Sequence, residues 1–325
     1  MVARRHHYVP KCYLNSFAAP KKGKEKPELL SFDATERKCF RTAPDNVALE
    51  TDFNTIDLEG HPPDAFEKAL AEVESEIGPA LVRIIDVKSL DSAQDREFLL
   101  TLIALLYTRN PRFREMTRGL GESLAKRKLE IALSSPEKWK AELKKARADG
   151  AIAIDAVVDY DTIKKSYKPD DYTLKVKNEA HIITELQAFE RAFAALSERN
   201  WVLVEASQDS PGFVTCDHPV CLSWSEESPG LGAPGLRTPK TAVFFPLTPK
   251  LAVVGSLEGE NGEATFTDDE VSSANGTTVL NAQRQVYASR GDFRYQIDRM
   301  QAPRAASDLV ADQRFLRPAQ PALMR

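Results

Sequence analysis

The chain has 325 residues, 42% of them hydrophobic and 28% charged, with a formal net charge of −4; this is ordinary globular composition, enough for one large domain or two packed subdomains. The weakly acidic balance argues against a broad nucleic-acid-binding face and leaves two local basic patches, Arg4-Arg5 with Lys11 and the run 109–118. No apolar run approaches the ~20 residues that span a bilayer, none follows Met1 as an export signal requires, and the four sparse cysteines make no disulfide framework, so a reduced, cytoplasmic protein with no membrane segment is expected.

Residues 21–28 are lysine-rich, with Gly23 and Pro27, and read as a solvated loop. Residues 29–32 and 38–41 read as two short strands around a turn. From Pro62-Pro63 onward, Phe66, Ala69, Leu70, Val73, Ile77, Leu81 and Ile84 recur at three- and four-residue steps, which predicts an amphipathic helix. Asp91 is the expected cap of a second helix, apolar on most sides over 98–107, that stops near Arg109-Asn110-Pro111. Residues 112–148 suit one or two charged surface helices, 150–172 are irregular, and 175–199 are again helical. Short β-type runs follow at 201–205, 212–216, 220–224, 242–245 and 251–254, with a long flexible loop at 225–240. Asp268 is the expected N-cap of a last helix running to about Ser289.

The fold class expected is therefore α+β, with a helical middle packed on a mainly antiparallel C-terminal sheet that the N-terminal segment joins. The division is 1–60 for that segment, 61–200 for the helical region, 201–300 for the β-rich part with its final helix, and 301–325 for a tail expected to be partly disordered.

Five histidines are present: His6, His7, His61, His181 and His218. Imidazole titrates near neutrality and is a common metal ligand. Adjacent residues of an extended segment point to opposite faces, so His6 and His7 do not serve one site equally. Asp217, in Thr215-Cys216-Asp217-His218-Pro219, follows an apolar run and is placed either for base catalysis or as the first residue of a turn. Arg109 suits bidentate contact with a phosphate or an internal carboxylate, and Arg112, Arg114 and Arg118 extend it either as an anion-binding surface or as a solvated helix face. Cys216, His218 and Cys221 are poorly spaced for structural zinc. No dinucleotide fingerprint, phosphate-binding Gly-Lys-Ser/Thr loop or Gly-x-Ser-x-Gly elbow occurs, which argues against nucleotide-cofactor enzymes and α/β-hydrolases.

The opening His6-His7-Tyr8-Val9-Pro10-Lys11-Cys12-Tyr13-Leu14-Asn15-Ser16-Phe17-Ala18 resembles that of the His-Tyr-Val-Pro domain family of unknown function, number 4238. Asn46-Val47-Ala48-Leu49-Glu50, Trp201, Phe213 to Pro219, Phe245-Pro246-Leu247-Thr248-Pro249 and Leu280-Asn281 extend the likeness over about residues 6–290. Cys216 and His218 depart from the family's usual Ser-Asp-Asn-Pro at that element. The resemblance implies membership and no particular activity. A fainter likeness is to His-Asn-His nucleases, through His6-His7-Tyr8-Val9-Pro10, Asn46 and His61; Pro62-Pro63 after His61 breaks the expected helix.

Two functions follow as expectations. One is a metal-assisted hydrolase of phosphodiesters, nuclease-like, with a defence or toxin role as its expected setting. His7, Asp217 and Arg109 would be catalytic, His7, Glu50 and Asp217 would hold a divalent ion, and His6, Tyr8, Asn46 and His218 are further candidates. Its partner would be nucleic acid or another phosphate-containing ligand. The other is a non-catalytic binding module in which the His-Tyr-Val-Pro segment is structural.

Overall fold

A computed structural model describes residues 4–19, 26–225, 232–298 and 300–316. The chain begins with strand β1 (Arg5–His7), helix α1 (Lys11–Asn15), the hairpin strands β2 (Leu29–Asp33) and β3 (Lys38–Thr42), and β4 (Leu49–Thr51). Six helices follow: α2 (Ala65–Val87), α3 (Ala93–Thr108), α4 (Pro111–Ala132), α5 (Pro136–Ala148), α6 (Tyr160–Ser166) and α7 (Asn178–Ser197). Then come β5 (Asn200–Ala206), β6 (Thr215–Cys216), β7 (Cys221–Trp224), β8 (Thr241–Thr248), β9 (Leu251–Ser256), β10 (Gly262–Phe266), α8 (Asp268–Asn281), β11 (Gln285–Ala288), β12 (Arg294–Tyr295) and β13 (Arg304–Ala305). The fold is α+β with mostly antiparallel sheets. Two compact units result, Met1–Pro111 with Asn178–Arg325, and Arg112–Lys177.

In the larger unit, one sheet runs β10-β5-β9-β8-β7, antiparallel except for the parallel β10–β5 pair. A second runs β3-β2-β11-β6 and is antiparallel throughout. The N-terminal hairpin thus joins a C-terminal strand, with Phe32 opposite Val286 and Val286 opposite Cys216. The main core gathers Tyr13, Leu14 and Phe17 with Ile77, Leu81 and Ile84 of α2, the apolar run of α3, and Phe245 and Val253 of the larger sheet. Tyr13 stacks on Phe245 at 5.0 Å between ring centroids, and its hydroxyl donates to the Pro246 carbonyl (2.8 Å) while meeting Thr215 Oγ1 (2.7 Å). The smaller unit closes α4, α5 and α6 on Trp139, Leu133 and Leu143.

Several expected boundaries move. The cap of α3 is Ser92, which accepts from Asp95 N–H, and not Asp91. Thr267, not Asp268, caps α8 through a reciprocal pair with Glu270. The last helix stops at Asn281 and residues 285–288 are a strand, because a carboxylate remote in sequence takes up the amides just beyond the helix. Gly276 inside α8 is required by close packing: a Cβ there would sit 1.9 Å from the Gln296 carbonyl oxygen. In the expected tail, residues 304–311 form β13 and a 3-10 turn, with Leu309 fully buried. Residues 20–25 of the lysine-rich loop, 226–231 of the Gly/Pro/Ser loop and 317–325 of the tail lie outside the described residues. Among the described residues no helix is long and apolar enough to cross a membrane.

Candidate functional site

Most of the His-Tyr-Val-Pro segment builds the fold. In β1, His6 lies opposite Glu50 of β4 and is fully buried. Its Nδ1 accepts the Asn54 backbone N–H at 2.9 Å, a satisfied core histidine. Val9, Tyr13, Leu14 and Phe17 are core residues. Ala48, at φ 51°, turns the chain so that its carbonyl receives the N–H groups of Tyr8 (3.0 Å) and Val9 (3.5 Å). This accounts for the segment 46–50: it is the backbone cradle of the motif. Tyr8 is half-buried against Phe53, and its hydroxyl is pushed well above the ordinary phenol range by burial and by the charges of Asp217 and Glu50.

His7 differs from its neighbour. It is half-buried, and its Nδ1 is enclosed with no hydrogen-bond partner among the described residues. Its backbone is nonetheless held, because Arg109 Nη1 donates to the His7 carbonyl at 3.1 Å. Arg109 itself is buried at the end of α3 and lies 3.5 Å from Glu74 Oε1. Glu67 and Glu74 are seven residues apart on α2 and so share a face of that helix. Glu67 accepts from Asn54 Nδ2 at 2.5 Å. Asn54 is fully buried and its Oδ1, like His7 Nδ1, is unpartnered. Lys11, which is ion-paired with Asp45 at 3.2 Å, completes the surround.

The electrostatics follow from that arrangement. Burial holds the His7 imidazolium below its ordinary pKa, and Lys11 and Arg5 push the same way; Asp45 and Glu67 oppose them without winning. Burial raises the Glu74 carboxyl, Arg109 opposes this, and Glu67 adds to it. The Cys12 thiol is pushed up to about 11, by burial first and then by Glu74, so it is no nucleophile at neutral pH. The arrangement therefore presents a neutral imidazole within the field of Glu67 and of the cations Lys11 and Arg5, with Glu74 paired to the arginine that holds its backbone. That set of groups can exchange protons with a ligand.

The other expected residues have surroundings of their own. Asp217 is buried, and its carboxylate accepts three successive backbone amides, from Gln283 (2.9 Å), Arg284 (2.7 Å) and Gln285 (3.0 Å). It anchors the turn between α8 and β11, remote in sequence, and not the local turn at 217–219 that its sequence context offered. His218 is buried, and Asn281 Nδ2 donates to its carbonyl (2.5 Å) and to that of Val220 (2.9 Å), 3.1 Å from His218 Nδ1. Glu50 is exposed in β4, Asn46 is exposed beside Thr42, and His61 is exposed ahead of α2. Arg118 is bridged by Glu115 and Glu122, both at 2.6 Å, as a solvated helix face.

The expected ligand set of His7, Glu50 and Asp217 is not assembled. Among the described residues no three His, Cys, Asp or Glu side chains are grouped as a metal ion requires, and the lone pairs of Asp217 that would bind a metal already face amides. His7 and Arg109 do come together. Glu67, Glu74 and Asn54 are the members that the sequence reading missed. The seven-residue spacing of two glutamates on the predicted α2 was the available signal, but nothing local tied that face to His7.

The family model described as "Protein of unknown function (DUF4238)" matches residues 5–292. No curated protein and no solved structure matches the chain.

Proposed function

The chain belongs to the DUF4238 family, described only as of unknown function, so its role must be read from the site, and we propose that it is a hydrolase of phosphodiester-type anions in which His7 is the general base. One observation carries this reading. His7 is a half-buried imidazole, held below its ordinary pKa, whose ring the fold positions without bonding. With Nδ1 enclosed, Nε2 is the nitrogen that reaches a ligand. A neutral ring there takes a proton from water as the water attacks. Lys11 and Arg5, both exposed, supply positive charge toward an anionic substrate. Arg109 holds the His7 carbonyl and is itself held by Glu74, so it positions the base and does not grip phosphate. No step is routed through a metal, since the donor set does not fit one.

The test is hydrolysis of a chromogenic phosphodiester and of single- and double-stranded nucleic acids, with and without chelator. We expect turnover that persists in chelator and falls roughly 100- to 10,000-fold in His7→Gln, the range of general-base contributions. Full turnover in a folded His7→Gln variant, or no turnover on any of these substrates, overturns the reading. For a toxin or defence role, expression in a bacterial host slows growth and His7→Ala relieves it; equal growth counts against it.

A non-catalytic binding module remains the second reading. It is supported by the complete use of His6, Val9, Tyr13, Phe17 and Asp217 in packing and backbone bonds. Ligand binding that survives His7→Gln with no turnover by wild type favours it.

A further inference from the structure

We infer that the groove between α4 and α5 is a docking site for α2 of a second copy of this chain. The groove is a cavity of about 670 Å³ whose lining includes the apolar Leu124, Ile131 and Ala141 and the cationic Arg127, Lys138 and Lys145. Leu124 is 63% exposed and Ile131 50%. The two lie seven residues apart on α4 and so share one face of that helix. The one acid of the lining, Glu142, is taken by Lys128 at 2.5 Å, so the edges remain cationic. Lys138 and Lys145 have no carboxylate partner among the described residues.

Charge and shape point to the occupant. The segment 112–177 holds 16 basic and 11 acidic residues, whereas the rest of the chain holds 28 basic and 37 acidic. Within that acidic remainder, α2 leaves an unpartnered ridge. Ala69 and Val73 are exposed one turn apart, flanked by exposed Glu72 and Glu76, also one turn apart. Neither glutamate is ion-paired among the described residues. The ridge is about two turns long, and so is the groove, since Leu124 and Ile131 are seven residues apart at ~1.5 Å rise each. Ala69 and Val73 meet the apolar part of the lining while Glu72 and Glu76 meet its cations, Lys138 and Lys145, the mode in which an amphipathic helix seats in a groove. The pairing joins different patches on the two copies.

The test is the mass of the full-length protein by light scattering across a concentration series, at low and at high salt. Wild type is expected to self-associate, and less so at high salt. Lys138→Glu with Lys145→Glu, Glu72→Lys with Glu76→Lys, and Leu124→Glu are each expected to weaken association about tenfold or more. Mixing the two charge-reversed proteins restores a complex, and circular dichroism checks that each variant is folded. A monomer at every concentration overturns the inference, as does association that ignores these substitutions. Wild type that stays monomeric yet binds phosphatidylserine vesicles, with binding lost in Leu124→Glu, assigns the groove to lipid and overturns it too.

Discussion

Replacing Asp217 separates a structural carboxylate from a catalytic one. Its two oxygens accept the N–H groups of Gln283, Arg284 and Gln285 at 2.7–3.0 Å, and the side chain is buried. Asp217→Ala leaves three amides without their acceptor at the point where α8 gives way to β11. An unsatisfied buried donor costs about 1–3 kcal/mol, and bonds to a charged acceptor lie toward the upper part of that range. Because water reaches part of so wide a turn, the loss is set at about 3–6 kcal/mol in total. Asp217→Asn keeps one acceptor oxygen and is expected to lose about half as much. The measurement is urea denaturation followed by far-UV circular dichroism, with His7→Gln as the comparator. Asp217→Ala within about 1 kcal/mol of wild type would refute the anchoring role. An Asp217→Asn protein of wild-type stability with hydrolysis abolished would return Asp217 to the chemistry.

Three further outcomes are expected. The folded pKa of His7 lies below its unfolded value near ~6.5, so the neutral ring contributes stability that is fully present above that value and lost as pH falls toward the depressed folded one; the melting temperature of wild type should therefore drop more steeply from pH 7 to pH 5 than that of His7→Gln, and parallel curves would count against it. Gly276→Ala should cost about 3 kcal/mol or more in urea denaturation, because its Cβ meets the Gln296 carbonyl carbon and oxygen at 2.5 and 1.9 Å where only backbone can yield; wild-type stability would show that the α8–β12 contact is looser than described. Tyr13→Phe, which removes a buried hydroxyl from Thr215 Oγ1 and the Pro246 carbonyl, should lose about 1–3 kcal/mol by the same assay; no loss would mean that the hydroxyl does not tie the N-terminal segment to β8.

What the sequence made legible is what local periodicity encodes. The steps through Ile77, Leu81 and Ile84 place α2, the apolar run from Leu99 to Leu106 places α3, and the alternation around residues 29–42 places the β2–β3 hairpin. What was not legible depends on partners distant in the chain. Gly-Glu-Ala-Thr-Phe at 262–266 is almost wholly exposed and has no apolar pattern of its own; it is a strand because it borrows the edge of β5. Residues 285–288 continue the apolar period of α8, and only the Asp217 carboxylate, 66 residues upstream of Gln283, ends the helix. Glu67 and Glu74 look like solvent-facing helix positions until Arg109 and Asn54 are folded against them.

The contrast between the two adjacent histidines bears most directly on function. His6 and His7 share a strand and a sequence context, yet the fold treats their rings differently. His6 is buried with its Nδ1 saturated by an amide, as a histidine selected for packing should be. His7 is anchored through its backbone, with its carbonyl held by Arg109 and the next residue's N–H held by the Ala48 carbonyl, while its ring nitrogen is left unbonded and its protonated form disfavoured. A purely structural His7 has no need of a backbone clamp that includes a buried arginine and a glutamate, since an apolar residue of similar size avoids the cost of an unsatisfied polar atom. That cost is understandable where the ring must stay available to something that arrives later. The docking of the N-terminal segment, through Tyr13 and Phe17, then has a second consequence beyond stability. It fixes where that ring is presented, within the fields of Glu67 on α2 and Lys11 at the start of α1.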